Sequence, residues 1–208
     1  MYSLIDHTQL SATATEDDID QACWTAEEYG CASVCIPPRW VSHAVAELQG
    51  TGIPVCTVIG FPTGAVPTSE KVAEARKAVA DGALELDMVI NLDAVRDDDW
   101  DKVIEDIMAV RDVDYTLVLK VILETATLTD DQIIRACEAS RDGGANFVKT
   151  STGMHPAGGA TVHAVALMRQ TVPQLGVKAS GGVRTAEQAE AMVTAGANRI
   201  GTSGTANF

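Results

Sequence analysis

Six lysines occur in the 208 residues, and three of them, Lys120, Lys149 and Lys178, interrupt runs that are otherwise apolar: TLVLKVILET, NFVKTSTG and GVKASGG. A lysine without a task belongs on a solvated face, and an ammonium buried without a partner is costly. Three in one interior would crowd positive charge. Desolvation and like-charge repulsion would then push the lysine pKa values down, leaving a neutral amine to attack a carbonyl carbon near neutral pH. The bland alternative has each lysine snorkelling out of its strand end or pairing with an acid such as Asp87 or Glu124. Asp87 itself lies in ALELDMVIN, a carboxylate inside a hydrophobic strand that needs a partner. Alternation puts Glu85 and Asp87 on one face and Leu86 and Met88 on the other. If Asp87 and Lys149 both point inward, the acid balances the lysines and can pass a proton through water; otherwise it is a purely structural ion pair.

Glycine-rich turns follow the last apolar runs: Thr150-Ser151-Thr152-Gly153, Ser180-Gly181-Gly182 and Gly201-Thr202-Ser203-Gly204. A glycine-rich loop alone is often only a turn. In a barrel, however, the turns after strands seven and eight commonly hold phosphate through backbone N–H groups.

These residues must be positioned by a regular scaffold, and the chain offers one. Short apolar runs at 3–5, 33–36, 55–59, 84–90, 116–123, 146–150, 177–179 and 199–202 suggest eight strands. Amphipathic stretches lie between them, the α/β signature. Thr15, Thr68 with Ser69, Thr129 and Thr185 precede acidic residues that suit helix N-termini, and Gly30, Gly82, Gly143-Gly144 and Gly196 follow the helices as C-terminal stops. Even spacing without a linker predicts one (β/α)8 barrel of the TIM type, an α/β fold forming a single domain over 1–208, in preference to a doubly wound open sheet. Chemistry then belongs at the C-terminal ends of the strands.

Composition limits the rest. Hydrophobic residues make up 46% of the chain, enough for a globular core without disulfides or metals. Twenty-nine acidic against fifteen basic residues give a net charge of −14, which disfavours nucleic-acid binding. The excess suits a surface adapted to high salt or an ordinarily acidic cytosolic protein. Five cysteines without a paired spacing argue against a disulfide framework or zinc cage, and His43, His155 and His163 lack metal-ligand spacing. Cys35 either lines the mouth of the site or is simply a buried thiol. His7 suits a buried hydrogen-bond network as well as catalysis. No run approaches the ~20 apolar residues of a membrane span, and MYSLIDHTQL lacks the basic start of a signal peptide, so a cytoplasmic location is expected.

The motifs LIDHT, CIPPRWV, VIGFPTG, ELDMVIN, LKVILET, FVKTSTG, GVKASGGVRT and RIGTS, in this order from Ser3 to Ser203, resemble those of the deoxyribose-phosphate aldolase family. The resemblance implies reversible, metal-independent cleavage of 2-deoxy-D-ribose 5-phosphate to D-glyceraldehyde 3-phosphate and acetaldehyde, with no cofactor. It assigns Lys149 as the Schiff-base lysine and Lys178 as the neighbour that lowers its pKa. Asp87 with Lys178 is the proton-transfer pair, and Lys120 adds positive charge or contacts a substrate hydroxyl. Asp6, Thr150, Gly181, Gly182, Ser203 and Gly204 are the expected substrate-binding residues. Partners are then confined to small phosphorylated deoxysugars and short aldehydes, with a homodimer or other homo-oligomer expected from barrel habits.

Three features depart from the family pattern. Met154 stands where some relatives carry a basic residue. Thr202-Ser203-Gly204 replaces two adjacent serines, and little chain remains after strand eight for a further helix. Rival readings are another lysine-dependent sugar-phosphate aldolase and a non-catalytic sugar-phosphate-binding barrel.

Overall fold

The computed structural model describes residues 1–208. Eight parallel strands close in sequence order, with β1 paired to β2 on one side and to β8 on the other. They are β1 Ile5–Thr8, β2 Ser33–Ile36, β3 Val55–Ile59, β4 Glu85–Val89, β5 Val118–Ile122, β6 Phe147–Lys149, β7 Gly176–Ser180 and β8 Arg199–Thr202. Around them run α1 Glu16–Glu28, α2 Val41–Glu47, α3 Thr68–Ala80, α4 Leu92–Arg96, α5 Trp100–Arg111, α6 Asp130–Asp142, α7 Val162–Thr171 and α8 Ala186–Thr194. Two helices, α4 and α5, join β4 to β5, and a 3-10 turn over Thr205–Asn207 follows β8. Closure excludes the open doubly wound sheet.

The helices begin for the reasons their sequences suggest. Thr15, Thr129 and Thr185 each accept from the backbone of the third helical residue, whose side chain bonds back to the cap, so two otherwise orphaned N–H groups are satisfied at each start. α3 departs from the expectation. Pro67 precedes it, Thr68 is already its first residue, and the Thr68 hydroxyl donates to Asp106 at 2.7 Å in place of capping.

Strand one also differs. The apolar run at 3–5 predicted a strand, yet Tyr2–Leu4 is a 3-10 turn and β1 begins at Ile5. The pairing segment is Asp6-His7-Thr8, whose polarity hid it from a search for apolar runs; its backbone is held by register with Ser33, Val34 and Cys35.

A side-chain period of two sorts each strand into two faces. Leu86, Met88, Leu119, Val121, Val148, Val177, Ala179 and Ile200 belong to the 47-residue apolar core shared with the helices. The alternate positions, Asp87, Lys120, Lys149 and Lys178, meet one another inside the barrel. Registers align them: Asp87 faces Lys120 across β4 and β5, and Lys149 faces Lys178 across β6 and β7.

Candidate active site

Asp87 stands at the centre of the barrel interior, and both its carboxylate oxygens are shared. Oδ1 accepts from Lys120 Nζ at 2.8 Å, while Oδ2 accepts from Lys149 Nζ at 2.8 Å and Lys178 Nζ at 2.7 Å. Beneath lies a second tier. Lys120 Nζ is 2.5 Å from Glu85 Oε2, Lys178 pairs with Asp6, and Arg199 Nη1 reaches Asp6 Oδ1 at 2.6 Å and Glu85 Oε2 at 3.2 Å. Arg199 also lies over the Phe147 ring, 5.3 Å from its centroid. The sequence expected the three lysines and Asp87 to converge; it did not single out Arg199, and it noted Glu85 only as sharing a face with Asp87.

The extra carboxylates reverse one expectation. Burial by itself opposes charge on Lys120 and Lys178, but contact with acids outweighs it. Asp87, Asp6 and Glu85 hold Lys120 well above the ordinary lysine value, and Asp6 and Asp87 hold Lys178 above it. Burial likewise favours a neutral Asp87 and a neutral Asp6, yet the facing cations keep both below the usual carboxylate range. The predicted depression of the lysine values therefore does not hold for Lys120 and Lys178, because Asp6 and Glu85 join Asp87 among the ammonium groups. Lys120, Lys149, Lys178 and Arg199 oppose Asp6, Glu85 and Asp87. One cation in the cluster can thus be uncharged with the remainder in balance.

Only one of these seven residues lines the cavity at the C-terminal mouth of the barrel, and it is Lys149. The cavity has a volume of about 310 Å³ and is walled by Thr8 to Ser11, Thr152 to Met154, Ser180 to Arg184 and Gly201 to Ser203. Lys149 is 3% exposed, against 0% for Asp6, Asp87, Lys120 and Lys178. Gly181 and Gly182 both hold φ at +84°, a conformation that side-chain-bearing residues rarely adopt. Their N–H groups and that of Ser203 have no partner within the chain, and the exposed, cationic residue Arg184 belongs to the same wall. Oriented free N–H groups beside a cation suit an anion.

Not every expected contact faces this space. Thr150 is fully buried between β6 and β7, where its hydroxyl donates to Ser180 O and accepts from Ser180 N, both at 3.0 Å. Gly204 lies on a neighbouring hollow beside His7 and Asn207. The loop after Lys149 has a clamp that the sequence reading missed: Glu124, buried and with φ at +57°, accepts from the N–H and hydroxyl of Thr152. Its position one strand before the lysine loop was visible in the sequence, but its left-handed backbone was not.

Against known proteins, residues 1–207 match the model of the family described as DeoC/LacD family aldolase. The chain is 53% identical over 200 residues to a deoxyribose-phosphate aldolase of Lactococcus lactis subsp. lactis, covering 96% of this chain and 90% of the relative. A putative deoxyribose-phosphate aldolase from Coccidioides immitis superposes with a TM-score of 0.96 at 47% identity, over 99% of this chain and 82% of that one. A deoxyribose phosphate aldolase from Aeropyrum pernix, described as a unique tetrameric structure, gives 0.92 at 34% identity over 99% and 88% of the two chains.

Proposed function

We propose, on the premise that this chain belongs to the DeoC/LacD family of aldolases, that it cleaves 2-deoxy-D-ribose 5-phosphate reversibly through a Schiff base on Lys149. The observation that carries the assignment of the lysine is its position: Lys149 alone of the charged cluster lines the cavity, and its Nζ shares Asp87 Oδ2 with Lys178.

In the cleavage direction the Lys149 amine attacks the C1 aldehyde of the open-chain sugar, and loss of water leaves an iminium. Removal of the C3 hydroxyl proton lets the C2–C3 bond break, with its electrons drawn into the iminium to give an enamine and free glyceraldehyde 3-phosphate. Protonation at C2 and hydrolysis then release acetaldehyde and the amine. Asp87, whose Oδ2 accepts from both Lys149 and Lys178, and Lys178 are the groups through which those protons pass by way of water. With Lys149 uncharged, three cations face three carboxylates, so the amine form leaves no unbalanced charge inside the barrel.

The phosphate fits the free N–H groups of Gly181, Gly182 and Ser203, with Arg184 beside them. Anchored there, it sets the distance from the aldehyde carbon to Lys149. Lys120 holds the other oxygen of Asp87, which fixes the carboxylate for the two lysines. Asp6 holds Lys178 from behind. The whole chain, 1–208, acts as one domain.

Cytoplasmic residence belongs to the same proposal: the five cysteines are free thiols, as a reducing compartment keeps them, and no helix is long and apolar enough to cross a membrane. Self-association does too, in line with the tetrameric relative, and sizing of the native protein checks it.

The test is reductive trapping. Incubation with deoxyribose 5-phosphate and borohydride, followed by peptide mass spectrometry, should place an adduct on Lys149 that is absent from Lys149→Ala. An adduct on Lys178 or Lys120 would overturn the residue assignment while sparing the reaction class. Bound substrate with no adduct anywhere would leave a sugar-phosphate-binding barrel without catalysis.

A further inference from the structure

Asp87 has neighbours that the aldol chemistry does not use. Cys35 on β2 and Cys56 on β3 are partners in the register of adjacent strands, both fully buried free thiols. Unlike Val34, Ile36 and Val55, they are outside the core shared with the helices and form a separate group with Val58 in the barrel. Cys56 Sγ is 3.2 Å from Asp87 Oδ1. The two sulfurs and a carboxylate oxygen of Asp87 all lie within 4.8 Å of one another.

Two thiolates and a carboxylate oxygen form a donor set for zinc and its softer relatives. Bonds of about 2.3 Å to sulfur and about 2.1 Å to oxygen place tetrahedral ligand atoms roughly 3.5–3.8 Å apart, so a closure of about 1 Å would bring these three into range. One edge of the triangle already attracts a cation. Lys120 Nζ sits 2.8 Å from Asp87 Oδ1 and 3.3 Å from Cys56 Sγ, and it has Glu85 at 2.5 Å to retreat to. Oδ2 remains with Lys149 and Lys178.

The surrounding ammonium groups would repel an added dication, but the exchange need not add charge. A metal ion deprotonates the thiols it binds, so one divalent cation replaces two thiol protons, which leave to solvent. The total charge of the cluster is unchanged. Hard ions such as magnesium or calcium prefer oxygen ligands and draw nothing from the sulfurs.

We propose that Cys35, Cys56 and Asp87 form an inhibitory site for a thiophilic divalent cation, zinc or cadmium, which displaces the Lys120 ammonium from Asp87 and disables the lysine cluster. Lys149 is the cluster's face on the cavity, so the ion enters past it; onset is slow, and substrate held on Lys149 slows it further. The loss of turnover rests on the aldolase reading above, whereas binding of the metal does not.

The experiment titrates the intact protein with cadmium chloride, and separately with zinc chloride, in thiol-free, non-chelating buffer. It records the ultraviolet thiolate-to-cadmium charge-transfer band, bound metal per chain and the retro-aldol rate. The expected result is one cadmium per chain with a charge-transfer band, slow inhibition reversed by a chelator, and no inhibition by magnesium. Cys35→Ser and Cys56→Ser, each normalised to its own metal-free rate, should lose the band and need at least about tenfold more metal for half-inhibition, since even outlying changes around metal sites weaken binding 10–100-fold. His43→Gln is the control for the surface group Asp20, His43 and Glu47, whose ligand atoms are similarly close, and it should behave as the parent. A band that survives either serine substitution, or inhibition abolished by His43→Gln, would overturn the proposal. A band lost as expected in a protein with no aldolase activity would retain the metal site and reject the function.

Discussion

Asparagine at position 87 would keep the shape of the central side chain while removing one of three carboxylates from a cluster with four cations. The formal charge inside the barrel rises by one, and Lys120, Lys149 and Lys178 all lose their shared partner. Removing one member of a buried ion pair costs about 3–5 kcal/mol. A domain of this size loses roughly 2–4 °C of Tm per kcal/mol, so Asp87→Asn should lower Tm by about 6–20 °C. Adding Lys120→Met removes a cation and brings the charge back to its original value. The pair touches, so the double variant should recover about 1–3 kcal/mol relative to additivity.

Activity should follow a different course. Loss of a proton-transfer group lowers kcat by about 100-fold or more, and restored charge balance does not replace the carboxylate beside Lys149. Thermal and urea unfolding would report the stabilities of the four members of the cycle. A dehydrogenase-coupled assay for released glyceraldehyde 3-phosphate would report the rates. Recovery of kcat along with Tm in the double variant would refute the reasoning and make Asp87 a charge balancer only. An Asp87→Asn variant as stable as the parent would show that the cluster does not depend on this carboxylate.

Two further outcomes follow from particular contacts. His7 is 8% exposed, with Nδ1 2.7 Å from Thr205 Oγ1, and burial pushes its pKa down to about 4 from 6.5; the unfolded chain therefore binds the proton first. Its contribution is complete above pH 6.5 and is lost as pH falls towards 4, a decline of about 3 kcal/mol that His7→Gln should remove from the pH dependence of urea unfolding. At Gly159 an added Cβ would lie 2.1 Å from Gly181 O. Gly159→Ala should therefore part the loops after β6 and β7, where Ala160 N donates to Ser180 O and Gly181 O at 3.0 Å. The preference in kcat/KM for deoxyribose 5-phosphate over unphosphorylated deoxyribose should fall about tenfold, roughly 1.4 kcal/mol of lost phosphate binding; an unchanged preference would separate this loop contact from phosphate recognition.

Much of this molecule was legible in order along the chain. The alternation of apolar runs with capped amphipathic stretches predicted eight strands, and seven lie where they were expected, because a parallel barrel buries both faces of its strands and marks its helix starts with hydroxyl caps. The three strand lysines and Asp87 stood out as charges where apolar residues belong. β1 was misplaced because Asp6, His7 and Thr8 pair through their backbones while their side chains break the apolar pattern. α3 lacks the threonine cap foreseen for it because Asp106, distant in sequence, takes the Thr68 hydroxyl.

Period-two alternation established that Glu85 and Asp87 share a face, but nothing local stated that Asp6 and Arg199, 193 positions apart, would meet there. The carboxylates of Asp87, Asp6 and Glu85 hold Lys120 above its ordinary value, and those of Asp6 and Asp87 hold Lys178 there, where sequence reasoning expected a fall. Whether Thr150 looks into the cavity or into the sheet, and whether Gly204 borders one hollow or the next, was equally undetermined. Residue types and periodicity are local, so the chain order by itself determined the elements and the charged residues that need partners. Barrel closure is not local: the stagger between strands decides which charges share a tier and which single lysine reaches the cavity, and that is decided only when β8 pairs with β1.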